Sequence, residues 1–170
     1  MFSGNRIFYS AICVIFAFII ASEVRALEQP TGTVILTITG KVGESNSAQG
    51  AILDLAMLQK LPQRSFTTRT PWDKDPVQFK GPLLRDVLAA VKANGTSIKA
   101  LALNDYQTVI PVEDAKMHDV VLAHQINGQA IPVRTKGPLF IIYPFDSKPE
   151  LQSQKFYERS AWQLKLMKIE

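Results

Sequence analysis

Three separated loops carry the side chains best suited to chemistry, and each loop offers an aromatic ring beside a charged or amide group. The candidate ligand-binding residues in these loops are Arg69, Trp72, Asp105, Tyr106, Arg134, Tyr143, Phe145 and Asp146. Aromatic rings stack on flat heterocycles, and a carboxylate accepts two parallel hydrogen bonds from an exocyclic amine and the neighbouring ring N–H. These residue types therefore predict a planar, polar-edged ligand such as a pterin or a purine.

The same residues also have ordinary structural interpretations. Leu139 to Tyr143 is an apolar run that fits a strand buried on both faces, and Pro144 ends it because proline cannot donate to a sheet ladder. A core strand with a polar exit explains this stretch as well as a binding loop does. Trp72 fits a hydrophobic plug over the core equally well as a platform for a ligand.

The common catalytic fingerprints are missing from this sequence. It contains no G-x-S-x-G elbow, no Walker loop and no G-x-G-x-x-G turn. His118 and His124 are the only histidines, and we interpret both as structural or surface residues rather than as metal ligands or bases. No motif in the sequence indicates a catalytic nucleophile.

Residues 1–26 have the features of a secretory signal peptide. After a weakly positive start, Ala11 to Ala21 is almost continuously apolar, and Val24 and Ala26 occupy the two positions that a signal peptidase reads. The apolar run is shorter than the roughly 20 residues of a membrane span. We predict cleavage after Ala26, export to the periplasm, and a single domain over residues 27–170.

The predicted mature chain has no thiol, because Cys13 is the only cysteine and lies within the leader. It therefore has no disulfide framework and no thiolate for zinc, an iron–sulfur cluster or molybdenum. Removing Arg6, Arg25 and Glu23 from the 19 cations and 15 anions of the chain leaves 17 and 14. This small positive balance, without a dense Lys/Arg tract, argues against nucleic acid as a partner.

Hydrophobic periodicity and turn residues predict the elements that position the three loops. The predicted strands are Thr33–Thr39, Arg64–Thr68, Ser97–Leu103, Gln107–Pro111, Val120–Gln125, Leu139–Tyr143 and Ala161–Ile169. The predicted helices are Asp54–Lys60, Leu83–Ala93 and Val112–Met117. Asn127-Gly128 indicates a hairpin. The sum is one α+β domain with mixed β-sheets and a few short helices.

Two of these helices have clear boundary signals. Asp54 is a suitable N-cap for the first helix, which Pro62 stops. The helix from Leu83 to Ala93 has one apolar face, Pro82 in its first turn and Asn94-Gly95 as its left-handed stop.

The polar, proline-bearing loops 69–76 and 146–154 are expected to be mobile without a ligand.

A series of motifs runs through nearly all of the predicted mature chain. They are Thr70-Pro71-Trp72, Phe79 to Leu88, Leu103-Asn104-Asp105-Tyr106, Asn127-Gly128, Lys136-Gly137-Pro138-Leu139 through Tyr143-Pro144, and Trp162-Gln163-Leu164. In this order they resemble the molybdopterin-binding oxidoreductase domain, the sulfite oxidase fold. Enzymes of that fold hold molybdenum through a cysteine thiolate, which the mature chain lacks. The sequence is more similar to the exported, cysteine-free branch of PruR-like pterin-binding regulators.

That resemblance implies a non-catalytic periplasmic protein that binds a reduced pterin of the tetrahydropterin type without molybdenum. It also implies a partner, the periplasmic sensory domain of an inner-membrane enzyme that makes and degrades cyclic di-GMP. Two other functions remain open: a molybdopterin-dependent oxidoreductase, and a ligand-free interaction scaffold.

Each candidate residue receives a role in this hypothesis. Trp72 stacks on the pterin, Asp146 binds its amino edge, and Arg69 and Arg134 contact its carbonyl or its side-chain hydroxyls. Substitution of Trp72 or Asp146 is then expected to weaken binding without unfolding the domain. Should both substitutions leave the affinity unchanged, Asp105 and Tyr106 become the next candidates.

Overall fold

The computed structural model describes residues 27–170, so the predicted leader and its cleavage after Ala26 lie outside the described residues. The strands are β1 (Val34–Gly40), β2 (Ala51–Asp54), β3 (Gln63–Thr68), β4 (Val77–Pro82), β5 (Ser97–Ala102), β6 (Gln107–Pro111), β7 (Val121–Ala123), β8 (Gln125–Ile126), β9 (Gln129–Ala130), β10 (Phe140–Ile142) and β11 (Leu164–Ile169). The α-helices are α1 (Leu55–Lys60), α2 (Leu84–Ala90), α3 (Val112–Met117) and α4 (Gln154–Arg159). Within residues 27–170, no helix has the length and apolar character needed to cross a membrane.

The strands form three sheets, of which the largest is mixed and the other two are antiparallel. The largest has the order β2-β1-β11-β5-β6, in which the last strand of the chain lies parallel to β1 and antiparallel to β5. A four-stranded sheet has the order β3-β4-β8-β9, and β10 pairs with β7. Mixed sheets with a few short helices confirm the predicted α+β class.

Strand β10 lies in the middle of the core, as its apolar sequence predicts. Phe140, Ile141 and Ile142 are fully buried, and Ile141 pairs with Leu122 of β7. The Ile141 amide donates to the Ala161 carbonyl at 2.9 Å, so the other edge of the strand is also occupied. Because consecutive side chains point to opposite faces of a strand, the burial of all three shows that both faces are covered, which explains why every side chain of this short strand is apolar.

Local turn and cap chemistry appears where the sequence predicts it. The Asp54 carboxylate accepts a hydrogen bond from the Met57 amide at 2.8 Å and caps α1. That bond, followed by others from the Gly32 and Thr31 amides, lowers the pKa of Asp54. Asn127 and Gly128 have φ values of 50° and 76°, the left-handed geometry of a two-residue hairpin turn between β8 and β9.

The end of α2 differs from the prediction. The helix ends at Ala90, three residues before the predicted end, and its left-handed residue is Lys92, with φ 47°, rather than Gly95. The reason is a competing set of backbone bonds, because the Asn94 amide donates to the Lys41 carbonyl at 2.9 Å. Pro82, predicted in the first helical turn, is instead the last residue of β4.

The bounds of several other elements also differ from the prediction. The predicted strand Val120–Gln125 is divided into β7 and β8 at His124, whose amide bonds to the Lys80 carbonyl of β4. Strand β11 begins at Leu164 rather than Ala161. The segment 146–154, predicted as a polar loop, contains two 3-10 turns, Phe145–Ser147 and Pro149–Leu151, and leads into α4. The strands β2 and β4 and the helix α4 were not predicted.

Candidate functional site

A cavity of about 350 Å³ opens beside Trp72. Its lining combines aromatic rings with amide and hydroxyl groups and one carboxylate: Pro71, Trp72, Asn104, Tyr106, Gln154, Tyr157, Glu158, Ser160 and Trp162. These residues come from the β3–β4 loop, the β5–β6 turn, and the segment from α4 to the start of β11. A volume of this size and a mostly apolar lining with a few polar groups are typical of small-molecule sites.

Trp72 is the central ring of this cavity wall. Its indole makes tilted or edge contacts with four other rings, at centroid distances of 6.0 Å to Phe140, 6.1 Å to Phe145, 6.1 Å to Tyr157 and 5.4 Å to Trp162. Trp72 remains half-buried, because it also lines the cavity. The ring thus covers part of the aromatic core and also borders the cavity, and its role as a platform for a ligand stays a prediction.

The loop that carries Trp72 is fixed by an ion pair. The Lys136 ammonium lies 2.7 Å from the Asp73 carboxylate, which also accepts a hydrogen bond from the Thr70 hydroxyl at 2.7 Å. Burial raises the pKa of Asp73, but the bonds from Lys136 and Thr70 and the Lys136 charge outweigh it, so the pKa is lowered. The pair joins the β3–β4 loop to the turn that precedes β10.

Helix α4 supplies the opposite wall and is held from two directions. The Tyr106 hydroxyl donates to the Glu158 carbonyl at 2.6 Å. On the interior side, Arg159 donates to the Asp114 carboxylate at 2.7 Å, and the same carboxylate accepts from the Tyr143 hydroxyl at 2.8 Å. Burial, followed by the Asp114 charge and hydrogen bond, raises the pKa of Tyr143 far above its usual range.

Trp72 and Tyr106 are the two predicted site residues that line the cavity. Asp105, next to Tyr106, has a left-handed φ of 64° and pairs with Lys165 at 3.2 Å. Its side chain is 84% exposed. The structure thus places one member of the predicted Asp105–Tyr106 pair in the cavity wall and the other beside it on the surface.

Tyr143 and Phe145 lie behind the cavity instead of within it. Their exposures are 0% and 1%, and the Tyr143 hydroxyl is occupied by Asp114. The Phe145 ring packs 4.9 Å from Tyr157 and 6.1 Å from Trp72. Direct stacking of these two rings on a ligand in this cavity is therefore excluded by their burial. They support the rings that do line it.

Asp146 has a structural role in this conformation. One carboxylate oxygen accepts a hydrogen bond from the Arg69 amide at 2.9 Å, and the Asp146 amide donates to the Thr68 hydroxyl at 2.9 Å. The Arg69 guanidinium lies 4.0 Å away and is largely exposed. Arg134 is exposed in the turn before Lys136. The cavity lining includes none of Arg69, Arg134 and Asp146.

Sequence reasoning missed the wall formed by α4. The residues it did not assign to the site are Gln154, Tyr157, Glu158, Ser160 and Trp162. Two signals were present: an aromatic and a carboxylate are adjacent at Tyr157-Glu158, and Trp162 occurs in the closing motif. Neither signal shows by itself that this segment folds beside Trp72.

Molybdopterin, the cofactor of enzymes with the fold that the sequence resembles, combines a pterin ring, a phosphate and a metal site. The aromatic and amide lining fits the pterin ring. No Lys or Arg belongs to the lining, so the cavity offers no cation to a phosphate. In residues 27–170 there is also no cysteine and no cluster of three His, Asp or Glu side chains arranged to hold a metal. The residues fit the pterin portion alone.

Comparison with known proteins identifies a family. The model of the family described as the oxidoreductase molybdopterin binding domain matches residues 29–146. A search of curated proteins found no match. The matched residues include the Trp72 loop and the β5–β6 turn, and end before α4 begins at Gln154. Because the match covers more than half of the sequence, the chain belongs to the oxidoreductase molybdopterin binding domain family.

Proposed function

We propose that this protein binds a reduced pterin in the cavity beside Trp72, and that it does so without molybdenum and without catalysing a reaction. The observation that carries the proposal is the lining itself. It brings together Trp72, Tyr106, Tyr157 and Trp162 with polar groups, in a family whose domain binds a pterin cofactor. The sequence of residues 27–170 supplies no thiolate to hold the metal.

The aromatic walls suit a flat ring for a physical reason. A stacked ligand is bound most tightly when the surrounding rings are already in position, because less side-chain freedom is lost on binding. Trp72 is held by ring contacts to Phe140 and Phe145, both buried, and by the ion pair of the neighbouring Asp73 with Lys136. The site is therefore largely organised before the ligand arrives.

A pterin bound without a metal or a nucleophile has no evident catalytic use, so we propose that the loaded protein is a signal. A ligand alters an interaction only when a partner has different affinities for the loaded and empty forms. By resemblance, the partner is the periplasmic domain of an inner-membrane enzyme that makes and degrades cyclic di-GMP. The protein then acts in the periplasm after cleavage of residues 1–26, and the output is a choice between surface attachment and motility.

The binding proposal is tested on protein purified from its native source. Elemental analysis, and fluorescence of the extracted ligand after its oxidation to the aromatic pterin, together separate three outcomes. A fluorescent pterin without molybdenum supports the proposal. Stoichiometric molybdenum would instead identify an oxidoreductase, and the absence of both pterin and metal, together with no binding of an added tetrahydropterin, would identify a ligand-free scaffold.

The signalling step needs its own measurement. The affinity of the purified protein for the periplasmic domain of the proposed partner is compared with and without a saturating tetrahydropterin. The proposal expects the two affinities to differ. Equal affinities, or no binding in either state, would leave a pterin carrier or store without a signalling role.

A further inference from the structure

We infer that Glu158 is the residue that binds the amino edge of the pterin. The inference rests on the proposed pterin-binding function and assigns the recognition of that same site. Glu158 is the one charged residue in the cavity lining, and it follows Tyr157 directly on α4. Because α4 lies beyond residues 29–146, the residue belongs to a part of the chain that the family match does not include.

Hydrogen bonds to its side chain and its backbone position Glu158. One carboxylate oxygen accepts from the Gln154 side-chain amide at 2.9 Å, one turn earlier on the same helix. The Glu158 carbonyl accepts from the Tyr106 hydroxyl at 2.6 Å. Within residues 27–170, the second carboxylate oxygen, Oε2, has no hydrogen-bond donor or cation. The Glu158 carboxylate is thus accessible at the cavity, with one oxygen bonded to Gln154 and the other without a protein partner among the described residues.

Helix α4 itself is anchored from the core side. Arg159, the next residue, is bonded to Asp114 at 2.7 Å, and these two side chains are only 18% and 12% exposed. Asp114 is bonded in turn to the buried Tyr143. This arrangement holds the backbone of α4 in place. It also pairs the Arg159 cation with Asp114, so Arg159 is not the partner of the neighbouring Glu158.

The chemistry of the pterin edge matches an ionised carboxylate. The exocyclic amine and the ring N–H beside it are parallel donors, and a carboxylate accepts both in a fork-like arrangement. Charge-assisted bonds of this kind are stronger than bonds between neutral groups. The amide of Asn104 and the hydroxyl of Ser160, which also line the cavity, are suited to the carbonyl end of the ring.

Asp146, the carboxylate favoured by sequence, is less suitable for this role. Its Oδ2 atom already accepts from the Arg69 amide at 2.9 Å, and Asp146 is absent from the lining. One oxygen of each carboxylate already accepts a hydrogen bond, so what separates the two residues is their place: Glu158 lines the cavity and Asp146 does not. Assigning the amino edge to Glu158 or to Asp146 therefore predicts different effects of substituting each residue.

The test compares the purified wild type, Glu158→Gln and Asp146→Asn. The probes are tetrahydrobiopterin and a tetrahydrolumazine, in which a carbonyl replaces the exocyclic amino group. The wild type is expected to prefer tetrahydrobiopterin. Glu158→Gln should weaken tetrahydrobiopterin binding by about tenfold or more and reduce the preference over the lumazine to near unity. Asp146→Asn should retain both the affinity and the preference.

The preference between the two probes distinguishes recognition from a general structural effect, because lost folding would weaken both ligands alike. Thermal unfolding of each variant provides a separate check on folding. Failure of the wild type to bind tetrahydrobiopterin would remove the proposed function itself. Normal wild-type binding with an unchanged preference in Glu158→Gln would remove only the role of Glu158. Loss of the preference in Asp146→Asn would return that role to Asp146.

Discussion

Trp72 and Trp162 meet edge to face, with their ring centroids 5.4 Å apart and their planes at 83°. The first residue lies in the β3–β4 loop, and the second lies just before β11. Edge-to-face geometry places the positive ring edge of one indole on the negative face of the other. The contact joins two cavity walls that are distant in sequence, so the binding surface depends on the packing of the whole domain.

Replacing Trp72 should therefore affect stability as well as binding. Trp72→Ala removes contacts to four rings and should lower the free energy of unfolding by about 2–4 kcal/mol. Urea denaturation measures this change, and titration with tetrahydrobiopterin measures the loss of affinity. Trp72→Phe, which keeps a ring, is the matched variant and should lose less of both. An unfolding free energy unchanged in Trp72→Ala would contradict the supporting role of these contacts.

Tyr143 should contribute to stability through its hydroxyl. Tyr143→Phe removes the 2.8 Å bond to the Asp114 carboxylate while keeping the buried ring, and should lower the free energy of unfolding by about 1–3 kcal/mol. The control is Tyr106→Phe, whose lost bond goes to the exposed Glu158 carbonyl and should cost at most about 1 kcal/mol. Chemical denaturation of both variants gives the comparison. Equal losses would mean that burial of the Asp114 network adds nothing.

Strand β10 and the β8–β9 turn could be predicted because their signals are local. The all-apolar sequence of β10 indicates burial on both faces. Asn127 and Gly128 are residue types that readily adopt the positive φ angles of a two-residue hairpin turn. The end of α2 could not be predicted in the same way. It depends on the bond from the Asn94 amide to the Lys41 carbonyl, and thus on a neighbour more than 50 positions away in the sequence.

The candidate site was predictable only in part for the same reason. Trp72 and Tyr106 were identified because each is a large aromatic in an obvious loop. The part formed by Tyr157 and Glu158 depends on how α4 packs, which local patterns do not specify. Asp146 was favoured because a carboxylate at a strand end suits ligand binding, but its side chain is not part of the cavity lining. Residue type alone does not show which cavity a side chain lines.

His124 should make stability depend on pH. Burial, and to a smaller degree the Lys80 charge, lowers the pKa of His124 below its ordinary value of 6.5. The unfolded chain therefore binds a proton more readily than the folded one, so stability falls as pH decreases through 6.5 towards the folded-state pKa. Urea midpoints measured between about pH 5 and pH 8 should show this slope for the wild type.

Two variants test whether that slope comes from His124. His124→Asn removes the titrating group, so the slope assigned to it should disappear. Gln63→Glu places a carboxylate at the acceptor that lies 2.9 Å from the imidazole Nε2, and this charge should raise the pKa of His124 and reduce the slope. A slope of the same size in all three proteins would mean that another group is responsible.

The cavity should select pterins without a phosphate. Its lining contains no cation, so a phosphate ester on the pterin side chain would lose hydration without gaining a charged partner. Tetrahydroneopterin and its phosphate ester differ only in that group, and calorimetric titration of each should give weaker binding of the ester. In Glu158→Gln the difference should persist, because the amino edge that Glu158 binds lies at the opposite end of the pterin from its side chain. Tighter binding of the ester by the wild type would indicate that exposed cations outside the lining, such as Arg69 or Arg134, reach the ligand.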